Sequence, residues 1–142
     1  MIKFNDDQKK ALSLINEFLL SKESKVFFLR GYAGTGKTTI IKEIVDKSIE
    51  YRFILLASTG IAAKVMEMKT GLKASTVHSL IYRYSATEKK DDIYVDRFDV
   101  KQNLEYNIYI VDEASMIGDE KSTQSNNLEF GSQKLLHDFF ES

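Results

Sequence analysis

Gly31-Tyr32-Ala33-Gly34-Thr35-Gly36-Lys37-Thr38 stands between an all-apolar run, Val26–Leu29, and a segment in which Ile40, Ile41, Ile44 and Val45 recur at helical spacing. That order predicts a strand, a glycine-rich turn and then a helix over about 37–48. A strand with no polar position is expected to be buried on both faces, as in a parallel sheet. The turn fits the phosphate-loop pattern GxxxxGK[ST]. Polyphosphate carries dense negative charge and needs many donors close together. Glycines allow positive φ and turn successive N–H groups inward as an anion nest, while the following helix presents its positive end to the same place. Lys37 would reach the β/γ oxygens, and the Thr38 hydroxyl would ligate magnesium. A glycine-rich turn that binds nothing is the bland alternative. The strand before it and the helix after it, which the chemistry requires, speak against that.

Toward the N-terminus, Asn5 and Gln8 fit a capping box, and Ala11, Leu14, Ile15 and Phe18 mark an amphipathic helix over 6–20. Phe53 to Ala57 predicts a second buried strand. Ala62, Val65 and Met66 mark a helix that stops near Gly71, and Val77, Leu80, Ile81 and Tyr84 mark another, with Ser75 placed to cap it. Residues 85–106 read as a polar surface insertion containing a hairpin. Ile108 to Val111 is a third apolar strand. Residues 117–127 are expected to form a flexible loop, and Leu135, Leu136, Phe139 and Phe140 a last amphipathic helix. Apolar strands alternating with helices predict an α/β fold, a parallel sheet flanked by helices.

The chain of 142 residues is long enough for one domain, and its 20 basic and 21 acidic residues leave a net charge of −1. No overall positive field advertises nucleic acid, so any such contact must be a local patch. Cysteine is absent, which excludes disulfides, thiolate zinc sites and a thiol nucleophile. No apolar run approaches a membrane span, no signal peptide opens the chain, and a cytoplasmic location is expected.

Ile108-Tyr109-Ile110-Val111 runs into Asp112-Glu113. Carboxylates at the carboxyl end of a parallel strand lie where α/β sheets bind ligands. Asp112 can hold magnesium through its water shell, and Glu113 can polarise the water that attacks a γ-phosphate. An acidic pair that merely ends a strand is the alternative, but two such motifs in one chain are more specific than either alone.

GYAGTGKTT, STGIAAK, ASTVHSL and IVDEASMI occur in this order. The set resembles the first motor domain of superfamily 1B DNA helicases, in particular the RecD-like and Dda-like group. The likeness runs from about Asn5 to the C-terminus. It implies a RecA-like P-loop NTPase domain, ATP and magnesium, single-stranded DNA as track and 5′-to-3′ movement. It also implies nucleotide contacts at Gly31, Ala33, Gly34, Thr35, Gly36, Lys37, Thr38 and Thr39, and places Gln8 at the adenine edge. A Gln amide can pair there, but Gln8 also fits the capping box. Ser58, Thr59, Gly60 and Lys64 match a DNA-backbone segment, with Thr59 as a plain N-cap being the alternative. Ser75, Thr76, His78 and Ser79 match the next DNA-side segment. His78 reads equally as a structural histidine, and no second ligand at metal spacing accompanies it. Tyr82, Tyr84, Tyr94 and Phe98 could stack bases, but at this spacing they are expected in the core. Lys89-Lys90-Asp91-Asp92 reads as a solvated turn.

Helicases of this group continue into a further strand and a second motor domain that carries arginine fingers. The sequence ends at Ser142 before either, so the expectation is a C-terminally incomplete domain with little ATPase activity alone. Under the resemblance the further strand lies between Val26–Leu29 and Ile108–Val111. Without it the sheet should close directly, borrow residues 128–142 as filler, or self-associate. Two other function classes fit the motifs: a nucleotide-dependent binding module acting through a partner, and another P-loop enzyme such as a small kinase or an AAA-type ATPase. The Asp-Glu pair favours water activation over transfer to a hydroxyl, and STVHS with DEAS favours the helicase group.

Overall fold

A computed structural model describes residues 3–21, 25–90, 92–101, 107–118, 128–130, 132 and 134–142. The chain divides into two compact units, Met1–Tyr51 and Arg52–Ser142.

In the first unit, α1 (Asp6–Leu20) begins with the expected capping box. The Asn5 side chain accepts from the Gln8 backbone N–H, and the Gln8 side chain accepts in return from the Asn5 N–H. Asp6 and Asp7 sit in the first turn, where the helix dipole favours negative charge. Helix α2 (Lys37–Lys47) buries Ile40, Ile41 and Ile44, and α1 buries Ile15. The expected strand at Val26–Leu29 is corrected. These residues join no ladder, and Val26 and Phe28 are 45% and 74% exposed. An apolar run carries the propensity for a strand, but its hydrogen bonds must come from a neighbour, and none of the described residues supplies one.

The second unit is built on a parallel sheet in the order β2-β1-β5, with β1 (Phe53–Ala57) central between β2 (Ala74–Thr76) and β5 (Ile108–Val111). Leu56 pairs with Ser75 on one side and with Val111 on the other. Helix α3 (Gly60–Thr70) is capped by the Thr59 side chain and ends at Gly71, which has φ 73 in the left-handed region that favours glycine. The α/β fold with a parallel sheet and packed helices is thus as expected.

Helix α4 is shorter than its apolar spacing predicts, Val77–Ile81, and its cap is Thr76 rather than Ser75. The Thr76 hydroxyl accepts from the Ser79 N–H, while Ser75 is used in the ladder to β1. Tyr84 therefore lies on a strand. β3 (Tyr82–Lys90) and β4 (Ile93–Val100) form the expected hairpin, closing at the Lys90–Ile93 pair with Asp92 in the left-handed region and paired to Lys89. Across the hairpin Arg97 pairs with Glu88, and Tyr84 meets Phe98 edge to face. Of the four aromatics expected in the core, Tyr82 is buried and Phe98 packs against it. Tyr84 and Tyr94 are 58% and 68% exposed, on a face of the hairpin sheet that the described core cluster does not cover.

Residues 128–130 form β6 (Leu128–Phe130), which the sequence reading did not foresee. It runs parallel to β4, so this segment extends the hairpin sheet and does not fill the main one. The expected flexible loop over 117–127 lies, from residue 119 onward, outside the described residues, as do residues 102–106 of the surface insertion. Helix α5 (Leu135–Glu141) lays Leu135, Leu136 and Phe139 on the cluster of Leu56, Val77, Ile81, Tyr82 and Ile117. Burying side chains of this size contributes about 1.5–3 kcal/mol each.

One polar link runs through that cluster. Asp138 on α5 is 3% exposed and accepts from the Tyr82 hydroxyl at 2.6 Å and from the Ser132 N–H at 2.9 Å. Burial opposes its charge, but hydrogen bonds from Ser132, Tyr82 and His137 outweigh it and hold the carboxyl below its ordinary range. Burial, and then the adjacent carboxylate, push the Tyr82 phenol well above its usual value. A depressed carboxyl stabilises the fold above its unfolded value of about 3.9, and that stability is lost as pH falls through the lower folded value. Asp138→Ala removes the buried carboxylate that accepts from the Tyr82 hydroxyl and the Ser132 N–H, at a cost of about 1–3 kcal/mol. The melting temperature at pH 7 should drop by about 3–12 °C, at about 3–4 °C per kcal/mol, and the deficit should shrink in acid below about pH 4. Equal melting temperatures at pH 7 in circular dichroism would contradict this role.

Candidate functional site

In the first unit the phosphate-loop pattern folds as a tight turn into α2. Gly34 and Gly36 have φ 78 and 86, conformations that L side chains rarely adopt. Gly36 is also confined: a Cβ there would come within 2.5 Å of the Gln8 Nε2. The Thr35 hydroxyl donates to the Tyr32 carbonyl at 2.8 Å and tightens the turn. Gly36 is the N-cap of α2 and offers no side-chain cap, and no acidic residue sits in the first turn. The first N–H groups of the helix, from Lys37 to Thr39, thus lack the side-chain partner that usually satisfies them. This is the arrangement in which a helix start accepts an anion.

Lys37 is half-buried, and its ammonium donates to the Gly31 and Tyr32 carbonyls at 2.7 and 2.9 Å. The cation is thus held over the loop by the loop's own backbone. Gln8 is tied to it as well, its Nε2 donating to the Thr35 carbonyl at 2.9 Å. Pattern reading did not find this bond, because it joins residues far apart in sequence. The amide still keeps one N–H and one acceptor lone pair beyond its bonds to Asn5 and Thr35. The capping box and a base contact are therefore compatible uses of Gln8.

In the second unit, the parallel register brings three candidate segments to one edge. With Leu56, Ser75 and Val111 in line, the chain leaves the sheet through Ser58-Thr59-Gly60, through Thr76 and through Asp112-Glu113, all at the carboxyl ends of strands. Ser58 Oγ lies 3.6 Å from Met116 Sδ, linking the first of these segments to the third. The Asp112 N–H continues the ladder to Leu56, and its Oδ1 accepts from the Glu113 N–H at 3.0 Å. Glu113 is exposed, with φ 52. A non-glycine residue in that region carries local strain of a kind that clusters at functional sites.

The remaining candidates have structural partners. Thr59 accepts from the Ala62 N–H as the N-cap of α3. Lys64, one turn later, pairs with Glu67 at 3.2 Å, and Glu67 also accepts from the Ala74 N–H. These two groups hold the Glu67 carboxyl below its ordinary range. His78 is half-buried on α4, its ring centroid 5.7 Å from that of Tyr82, and burial lowers its pKa. Among the described residues no three His, Asp or Glu side chains gather as a metal cluster, and no helix is long and apolar enough to cross a membrane.

Comparison with known proteins gives the same reading as these features. Residues 3–126 match AAA_30, an AAA domain family. The chain is 30% identical over 114 residues to the ATP-dependent DNA helicase Dda of Enterobacteria phage T4, an alignment covering 78% of this chain and 26% of that one. It is 34% identical over 103 residues to the ATP-dependent RecD2 DNA helicase of Deinococcus radiodurans, covering 67% of this chain and 12% of the relative. An uncharacterised protein of Methanocaldococcus jannaschii, MJ1519, is 33% identical over 126 residues, covering 80% of this chain and 11% of its own. The chain thus spans about a quarter or less of the length of these relatives. The motif resemblance to the RecD-like and Dda-like group is borne out: the chain belongs to the AAA domain family and is a P-loop NTPase domain of the helicase type.

Proposed function

We propose that residues 1–142 form part of the first, RecA-like motor domain of a superfamily 1B helicase that binds ATP and magnesium and moves 5′-to-3′ on single-stranded DNA. The observation that carries this reading is the uncapped start of α2, preceded by two left-handed glycines and overhung by the Lys37 ammonium. When bound, magnesium ATP supplies the phosphoanhydride to be cleaved and the divalent charge that offsets its oxygens. The backbone of Gly31, Ala33, Gly34, Thr35 and Gly36, with Thr39, cradles the phosphates, and Lys37 gives them a cation. Thr38 would ligate magnesium and Asp112 would hold it through its water shell, while Glu113 would polarise the attacking water. Gln8 uses its spare donor and acceptor on the adenine edge. Single-stranded DNA lies along Ser58, Thr59, Gly60, Lys64, Ser75, Thr76 and His78, with phosphates near the start of α3. Unwinding on this reading needs a second motor domain, and a cytoplasmic location accords with it. Self-association of the 142-residue chain belongs to the same reading, since β5 pairs only with β1 among the described residues.

The DNA assignment is tested by fluorescence anisotropy with a labelled oligothymidylate. Binding should weaken with salt, and Lys64→Ala should weaken it further and flatten the salt dependence, because one counterion-releasing contact is lost. Binding that ignores salt and Lys64→Ala alike would count against the track.

A further inference from the structure

We infer that Gln8 is a positioning residue of the phosphate loop, setting its affinity for polyphosphate whether or not a base is attached. This rests on the phosphate-loop reading above and adds a second role to the residue placed at the base.

The peptide between Thr35 and Gly36 is held from one side. Its carbonyl accepts from the Gln8 Nε2 at 2.9 Å. A trans peptide is planar, and its C=O and N–H point in opposite directions. No cis peptide occurs among the described residues. Holding the Thr35 carbonyl toward Gln8 therefore holds the Gly36 N–H facing away from Gln8. That N–H is one of the nest donors. Gly36 has no Cβ to restrict it, so without Gln8 the peptide loses a restraint on its orientation. The freedom would have to be given up each time an anion binds.

Gln8 is itself held still. Its Oε1 accepts from the Asn5 N–H at 3.0 Å, and its own N–H donates to the Asn5 side chain at 2.8 Å. A residue in the first turn of a helix is well suited to this task, because capping fixes its backbone and leaves its amide projecting. The same placement sets Nε2 against residue 36, 2.5 Å from where a Cβ on Gly36 would stand. Removing the amide leaves both the carbonyl and the donor on that peptide unguided.

The test uses inorganic tripolyphosphate, which has no base to read, beside ATP. Both are titrated into the wild-type chain, Gln8→Met and Asn5→Ala by competition against a fluorescent ATP analogue. Gln8→Met keeps the length of the arm and removes its donor. It should bind tripolyphosphate about three- to ten-fold more weakly, the net worth of one hydrogen bond. Asn5→Ala removes only the side-chain half of the capping box and keeps the Asn5 backbone N–H that holds the Gln8 Oε1, so it should stay within about two-fold of wild type. In the ligand-free protein, the Gly36 amide resonance should shift or broaden in Gln8→Met while that of Gly71 stays in place. Unchanged tripolyphosphate affinity in Gln8→Met, or an equal loss in Asn5→Ala, overturns the inference. If the wild-type chain binds neither ligand, the phosphate-loop assignment falls and takes the inference with it.

Discussion

Lys37→Ala is expected to weaken binding of magnesium ATP by about 10- to 100-fold, the span of one hydrogen bond to a charged group. The effect is a difference between two states. In the structure the ammonium already donates to the Gly31 and Tyr32 carbonyls. Engaging a phosphate exchanges neutral acceptors for anionic ones, and only the surplus appears as affinity. The substitution also releases the loop from its own lysine, which offsets part of the loss. Isothermal calorimetry on a variant with a wild-type circular dichroism spectrum gives the measurement. Equal affinities would show that the cation over the loop is structural and that α2 binds no phosphate through it.

The second large effect is on turnover. The 142-residue chain is expected to hydrolyse ATP slowly, about 10³–10⁵-fold below an assembled motor, because an arginine at the transferring phosphoryl group is worth that much. On the proposed reading that arginine belongs to a second motor domain. Glu113 can still orient water, and its left-handed backbone fixes where its carboxylate leaves the strand end. The residual rate should fall further in Glu113→Gln, which keeps the shape of the side chain and loses its basicity. Single-stranded DNA should change the rate little. Robust DNA-stimulated turnover that vanishes in Glu113→Gln would mean that these residues suffice for the whole reaction.

What was legible in the sequence was chiefly what is local. The capping box of Asn5 and Gln8, the span of α1, the start of α2 at the phosphate loop and the stop of α3 at Gly71 depend on residues three or four apart. Spacing and side-chain chemistry determine them. β1 and β5 were legible because each is uniformly apolar and short. Partners were not. Val26–Leu29 has the composition of a buried strand, yet strand status depends on a neighbour's hydrogen bonds. The apolar spacing of α4 runs on to Tyr84, but Tyr82 already pairs with Val100 across the hairpin, and that pairing overrides the helical period. β6 lies beside β4, far along the chain, and nothing in Leu128-Glu129-Phe130 announces it. The site divides in the same way. The pattern placed Lys37 and Thr38 at the start of α2, and the parallel register gathered Ser58, Thr76 and Asp112 at one edge. The bond from Gln8 to Thr35 and the link from Tyr82 to Asp138 are tertiary contacts, and no spacing rule encodes them.

As a helicase-type P-loop domain, this chain is expected to bind a nucleoside triphosphate at Gly31–Thr38. Equilibrium titration of a fluorescent ATP analogue into the wild-type chain, with magnesium and with chelator, tests it most directly. Saturable one-to-one binding that magnesium strengthens and ADP displaces is expected. A folded chain with no saturable binding, or with binding indifferent to magnesium, would contradict it.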